Sequence, residues 1–121
     1  MKIDRVKVYQ KCNGHCAYCG CEITIKQMQI DHVFPQLLSH HEPEFDKNRF
    51  ANLMPSCHKC NNHKGGMKLE FWRSELQRQV KMLHNNSQFM RALRYGQIAI
   101  TETPIVFYFE KPPLDKGEKL T

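Results

Sequence analysis

The sequence predicts an α+β fold. Three features point to it: two short stretches of alternating polar and apolar residues, helical periodicity in the second half, and two Cys-x-x-Cys pairs set far apart. At 121 residues and 40% apolar side chains, residues 1–121 are expected to form a single domain with one modest core. Domains of this size bury a smaller share of their surface and often lean on a metal or a disulfide. The six cysteines are therefore the first place to look for reinforcement.

Residues 4–11 fit a short helix or a strand, the β-branched valines leaving both open. Asn13-Gly14 is a turn signal that leads into Cys16-Ala17-Tyr18-Cys19-Gly20. Residues 22–26 and 27–31 each alternate polar with apolar side chains, which predicts two short strands, and Pro35 ends the second. Residues 36–51 are polar and His-rich, reading as a surface loop with room for one helical turn. Residues 52–56 are extended, since Pro55 favours that conformation in Met54. A short helix is expected from about Cys57 to Lys64, with Ser56 as its cap and Gly65-Gly66 as its stop.

Further on, Leu69, Trp72, Leu76, Val80 and Leu83 recur at steps of three or four, on one face of an amphipathic helix. Asn85-Asn86-Ser87 breaks it. Ser87 is the expected cap of another helix, which carries Phe89, Leu93 and Tyr95 and ends at Gly96. Residues 105–109 have strand character, and residues 112–121, opening on Pro112-Pro113, read as a loose tail. The large apolar residues of these helices are assigned to the core.

The formal net charge of +6 fits a polyanionic partner, because neutralising phosphates releases counterions. Lys68, Arg73, Arg78, Lys81, Arg91 and Arg94 read singly as a solvated face and together fit a stripe gripping DNA. The N-terminus lacks the apolar core of a signal peptide, and no apolar run approaches the roughly 20 residues that cross a bilayer. The expected setting is a reducing cytoplasm, where clustered cysteines bind metal more often than they form disulfides.

Cys16-Ala17-Tyr18-Cys19 and Cys57-His58-Lys59-Cys60 have the spacing of two knuckles that together complete a tetrahedral four-cysteine zinc site. Such an ion would join distant parts of the chain; structural zinc contributes roughly 10–16 kcal/mol of apparent binding energy in finger peptides. A thioredoxin-like redox site would need one such pair beside a βαβ pattern, which the sequence lacks. Cys12 and Cys21 are able to substitute as ligands but read as small residues beside the first knuckle. His15 and His58 read as surface residues.

Taken in order, Asp31-His32-Val33-Phe34-Pro35, then Asn52-Leu53, then Cys57-His58-Lys59-Cys60-Asn61-Asn62-His63-Lys64 resembles the signature of the HNH endonucleases. The knuckle at Cys16 and Cys19 is similar to one found in many members of that family. The motifs span about residues 12–66, leaving residues 67–111 as a helical extension. The resemblance implies a ββα-metal core, two antiparallel strands packed on a short helix, with the active site in the crevice between them.

The resemblance also implies roles. His32 is the expected general base, and histidine's unperturbed pKa near 6.5 suits it to activate water at neutral pH. Asp31 supplies a carboxylate and Asn61 an amide oxygen to one hard divalent cation, Mg²⁺ with Mn²⁺ as a substitute, which stabilises the leaving 3′-oxygen. Asn52 is the middle asparagine of the motif, expected to hydrogen-bond the loop that carries His32. Many family members place histidine at the final position, so His63 is the alternative to Asn61; residues two apart on a helix do not share a face. Lys64 fits a phosphate contact and equally a solvated lysine favoured by the helix dipole.

The leading expectation is a metal-dependent DNA endonuclease. A zinc-stabilised DNA-binding module without catalysis and an RNA-directed nuclease are the alternatives.

Overall fold

The structure is a computed structural model, and it describes residues 2–39 and 46–112. The chain divides into two compact units, Met1–Lys68 with Val106–Thr121, and Leu69–Ile105. No helix among the described residues is long and apolar enough to cross a membrane.

The first unit opens with helix α1, Arg5–Gln10, which settles the choice left open by the sequence. Asp4 caps it by accepting the Lys7 backbone N–H at 3.2 Å, satisfying one of the orphan donors of the first turn. Val8 on α1 is fully buried and packs with Ile23, Met28 and Leu53 to make the core, flanked by Ile3, Tyr9, Ile30 and Cys57. Two cations fasten the helix: Arg5 donates to the carbonyls of Ile25 and Met28, and the Lys11 ammonium donates to those of Phe50 and Leu53. Burial holds the Lys11 ammonium below the ordinary lysine pKa.

Strands β1, Gln29–His32, and β2, Leu53–Ser56, pair antiparallel with Ile30 opposite Pro55 and His32 opposite Leu53. The strand expected at 22–26 is absent. Glu22 makes only an isolated bridge to His15, and Thr24 and Gln27 exchange hydrogen bonds that close a turn at once. The alternation there records a chain that touches core and solvent by turns without a partner strand. The true partner of β1 is the extended segment after Asn52, and Pro55 is tolerated within it because its carbonyl, which accepts the Ala17 N–H at 2.8 Å, and so its nitrogen face away from β1, where the ladder needs no donor.

Helix α2, Gln36–Ser39, is the one helical turn of the intervening loop; His40, His41 and the rest of residues 40–45 lie outside the described residues. A 3₁₀ turn, Phe50–Asn52, leads into β2. Helix α3, His58–Lys64, then packs on β1. Its cap is Cys57, not Ser56: the Cys57 sulfur accepts the Cys60 N–H, while the Ser56 hydroxyl donates to the Cys57 carbonyl. Gly65 ends the helix at φ +51°, a conformation that disfavours any side chain.

The strand expected at 105–109 is also absent. Tyr108 and Phe109 donate their N–H groups to the carbonyls of Tyr18 and Ala17, and Phe107 gives its own to the Glu110 carboxylate. The segment therefore docks on the first knuckle and coils into a 3₁₀ turn, Tyr108–Glu110, instead of joining a ladder. Its aromatic rings, strand-like in propensity, serve here as packing: Phe107 and Phe109 both meet the Tyr18 ring edge-on. Gly20 is required under this contact, since a Cβ there would lie 2.8 Å from the Tyr108 ring. Beyond Pro112 the expected loose tail lies outside the described residues.

The second unit is helical: α4, Leu69–Gln77, α5, Gln79–Leu83, and α6, Ser87–Arg94. The single helix expected over 69–83 is interrupted at Arg78. Asn86, and not Ser87, caps α6 by accepting the Phe89 N–H at 2.9 Å. Gln77 on α4 bridges to the Thr103 carbonyl and the Ile105 N–H, tying the last residues of the unit back to its first helix.

Candidate active site and metal centre

The two knuckles meet at one point. The sulfurs of Cys16, Cys19, Cys57 and Cys60 all lie within 4.8 Å of one another, and those of Cys19 and Cys57 are 3.9 Å apart. Four Zn–S bonds of about 2.3 Å at tetrahedral angles set sulfurs about 3.8 Å apart, so the four thiols fit a metal ion such as zinc. Backbone N–H groups of Tyr18 and Cys60 point at the sulfurs of Cys16 and Cys57, the local geometry that a two-residue gap allows.

Their protonation agrees with this. The Cys16 thiol is drawn down to about 4, first by the hydrogen bond it shares with Cys60, then by the amides of Cys57, Cys19 and Tyr18, against the opposing effect of burial. The same shared bond pushes Cys60 upward. A dication bound among the four sulfurs would favour their thiolate forms. Of the leftover cysteines, Cys12 is buried beside the core, while Cys21 is exposed with its thiol next to Cys19 and Cys57.

The knuckles also position the neighbouring cleft. Cys57 caps α3, and Ala17 is bonded to β2, so the cluster holds the helix against the strand pair. Between them lies an open cleft of about 300 Å³, lined by Ile30, Asp31, His32, Pro35, Gln36, Asn61, Gly65 and Gly66. Three of the residues singled out from the sequence, Asp31, His32 and Asn61, are thus brought together there.

Asp31 is 5% exposed, and its contacts fall on one carboxylate oxygen. Oδ2 accepts the Tyr18 hydroxyl at 2.5 Å and lies 3.1 Å from the Lys64 ammonium. Burial first, and then the Asp31 charge, hold the Tyr18 hydroxyl above its ordinary pKa, so it stays a donor. Lys64 also donates to the His32 carbonyl at 3.0 Å and has no exposed surface. Both expectations for Lys64 therefore fail: a fully buried ammonium paired to Asp31 is neither a phosphate contact nor a solvated helix end.

His32, 9% exposed, is bonded through both ring nitrogens: Nδ1 to the Gln36 amide nitrogen at 3.1 Å and Nε2 to Asn48 Oδ1 at 2.9 Å. With an amide N–H on Nδ1 and an amide oxygen on Nε2, the consistent tautomer carries its proton on Nε2. Gln36 lines the cleft, so the ring's lone pair is on the cleft side.

Asn52 does not line the cleft. Its side chain accepts the Phe34 N–H at 2.7 Å and donates to the carbonyls of Lys47 and Phe34, while its backbone carbonyl accepts the Val33 N–H. The two residues after His32 are thereby clamped to the start of β2. On α3, Asn61 donates through Nδ2 to Gln29 Oε1 at 2.7 Å, which fixes the amide's orientation and keeps Oδ1 as its acceptor end. His63 is exposed and is not among the residues that line the cleft.

Sequence reasoning missed four partners: Tyr18, Gln29, Gln36 and Asn48. Gln29 was within reach, since residues two apart on a strand share a face and Asp31 was already singled out. The other three lie in a knuckle, at the start of the one-turn helix α2 and in a turn, where no periodicity reports direction.

Residues 16–66 match the family described as HNH endonuclease. The chain is 34% identical over 68 residues to the CRISPR-associated endonuclease Cas9 of Corynebacterium diphtheriae, a match covering 56% of this chain and 6% of that protein. Among solved structures it is similar to the Type II-C Cas9 enzyme from Actinomyces naeslundii, at 27% identity and a TM-score of 0.49, over 60% of this chain and 8% of that one. The chain thus spans a small fraction of the length of the relatives it matches.

Proposed function

We propose, from the match of residues 16–66 to the HNH endonuclease family, that this chain is a metal-dependent endonuclease hydrolysing DNA phosphodiester bonds at the cleft of Asp31, His32 and Asn61. The observation that carries the reading is the meeting of an imidazole, a carboxylate and an amide oxygen in one open cleft. The net charge of +6 supports a polyanionic substrate, and the name of the relative from Corynebacterium diphtheriae supports endonuclease chemistry.

In this reading His32 is the general base. A water taking the place of the Gln36 amide at Nδ1 gives up its proton to that nitrogen as it attacks phosphorus, leaving a 5′-phosphate and a 3′-hydroxyl. Asn48 then accepts from Nε2–H throughout and steadies the imidazolium, the role of a group that orients a base. Asn52 is a positioning residue, since it holds the backbone after His32 without facing the cleft. Asp31 and the amide oxygen of Asn61 would hold one divalent ion, Mg²⁺ or Mn²⁺, which when bound supplies positive charge to the leaving oxygen. The four-cysteine cluster takes structural zinc and contributes no chemistry, and its thiolates suit a reducing cytoplasm.

One observation favours a second reading, a DNA-binding module without catalysis: the Lys64 ammonium already neutralises Asp31. Cleavage of supercoiled plasmid by the purified chain with Mg²⁺, Mn²⁺ or EDTA decides between them. Metal-dependent nicking that is lost in His32→Ala and Asn61→Ala supports the nuclease. A folded, zinc-loaded chain that retards DNA but never cuts it supports the binding module.

A further inference from the structure

The second unit carries an uneven charge. Residues 76–101 contain no aspartate or glutamate, yet include Arg78, Lys81, Arg91 and Arg94. On α4 and just after it the cations are spent locally: Arg73 meets Glu70 through two nitrogens at 2.8 and 2.9 Å, and Arg78, between α4 and α5, meets Glu75 at 2.6 Å. Lys81, Arg91 and Arg94 have no acidic partner among the described residues. The stripe expected along all the helices therefore contracts to α5 and α6.

Helix α6 shows which way that charge faces. Phe89, Met90, Ala92 and Leu93 are half-buried, whereas Ser87, Gln88, Arg91 and Arg94 are exposed, and Tyr95 at its C-terminal cap is 77% exposed. Positions 88, 91 and 95, and 87, 91 and 94, follow helical steps of three and four, so the exposed set is one continuous face. Surfaces that serve only solubility mix both signs of charge. This one holds two arginines, a tyrosine and no carboxylate.

We propose that the exposed face of α6 binds duplex DNA, with Arg91 and Arg94 neutralising backbone phosphates. The inference rests on the reading that DNA is the substrate, and it assigns the grip to an element outside the nuclease motif. Its dimensions suit the partner: eight residues rise about 12 Å, comparable to the width of the major groove. The order of elements does so too, since α5, a three-residue turn and α6 follow the helix, turn and helix by which many proteins bring a second helix to the groove.

The test is binding of a fluorescent duplex by the full zinc-loaded chain with no added Mg²⁺ or Mn²⁺, which prevents cleavage, over a salt series. Arg91→Gln/Arg94→Gln should weaken binding by about tenfold or more at low salt and reduce the slope of log K against log salt by about 1.8, two phosphates' worth. Arg73→Gln/Arg78→Gln, which removes the two arginines paired to glutamates of α4, should leave that slope unchanged, and circular dichroism should show both variants folded. An unchanged slope in the α6 variant, an equal loss in the α4 variant, tighter binding of single strands or RNA, or a wild type that holds no duplex would each overturn the proposal. Plasmid cleavage separates it from the nuclease reading. A chain that cuts with its α6 variant binding as the wild type removes α6 alone, whereas α6-dependent binding without cutting removes the nuclease alone.

Discussion

The ammonium of Lys64 lies 3.1 Å from Asp31 Oδ2, and both side chains are almost wholly withdrawn from solvent. The same carboxylate oxygen accepts the Tyr18 hydroxyl, and the same ammonium donates to the His32 carbonyl. A residue of α3, a residue of the first knuckle and two neighbours on β1 are therefore joined through one ion pair.

Breaking that pair from the lysine side should be costly. Lys64→Ala leaves the Asp31 carboxylate buried with one hydroxyl donor, and removal of one partner of a buried pair costs about 3–5 kcal/mol. Urea unfolding checks this, and a variant within 1 kcal/mol of wild type would show the pair to be energetically idle.

Tyr18→Phe should be milder. It removes a single hydrogen bond to a charged group and keeps the ring contacts with Phe107 and Phe109, for a loss of about 1.5–3 kcal/mol. If the variant is as stable as wild type, the aromatic packing and not the hydroxyl is what matters at this position.

Chelation should unfold the first unit. Structural zinc brings roughly 10–16 kcal/mol in finger peptides, which equals or exceeds the whole stability of a typical domain, about 5–15 kcal/mol. Cys57→Ser removes both a ligand and the cap of α3, and should lose zinc by elemental analysis together with the melting transition. Cys21→Ser should keep its zinc, because Cys21 stands outside the four converging sulfurs. Zinc lost from Cys21→Ser and kept by Cys57→Ser would reassign the ligands.

Asn52→Ala should impair turnover more than substrate affinity. The substitution leaves the Phe34 N–H and the Lys47 carbonyl without their side-chain partner, at about 1–3 kcal/mol for each group left unsatisfied, and frees the two residues after His32. Measured on plasmid nicking, kcat should fall while KM stays within about threefold. A change confined to KM would place Asn52 in substrate binding instead.

Much of this molecule was legible in the order of residue types. Two Cys-x-x-Cys pairs can reach one ion through purely local turns, so the metal cluster needed no knowledge of the fold. Gly65 marked the end of α3 for an equally local reason, its positive φ. Asp31, His32 and Asn61 were named from their resemblance to the HNH signature, and all three line one cleft.

Tertiary structure alone decided the rest. The alternation in residues 22–26 promised a strand, but a strand exists only when a partner supplies the ladder, and the partner of β1 came from residues 53–56. The aromatic run at 105–109 was likewise strand-like in composition, and the knuckle carbonyls of Ala17 and Tyr18 claimed its backbone donors. Lys64 was the largest surprise. Nothing in a lysine at a helix end reports that Asp31 and Tyr18 will converge on the other side of it, and burial of an ammonium becomes tolerable only when such partners are already in place. Local geometry is written in neighbouring residues, whereas pairing and burial depend on groups that meet only after the chain has folded.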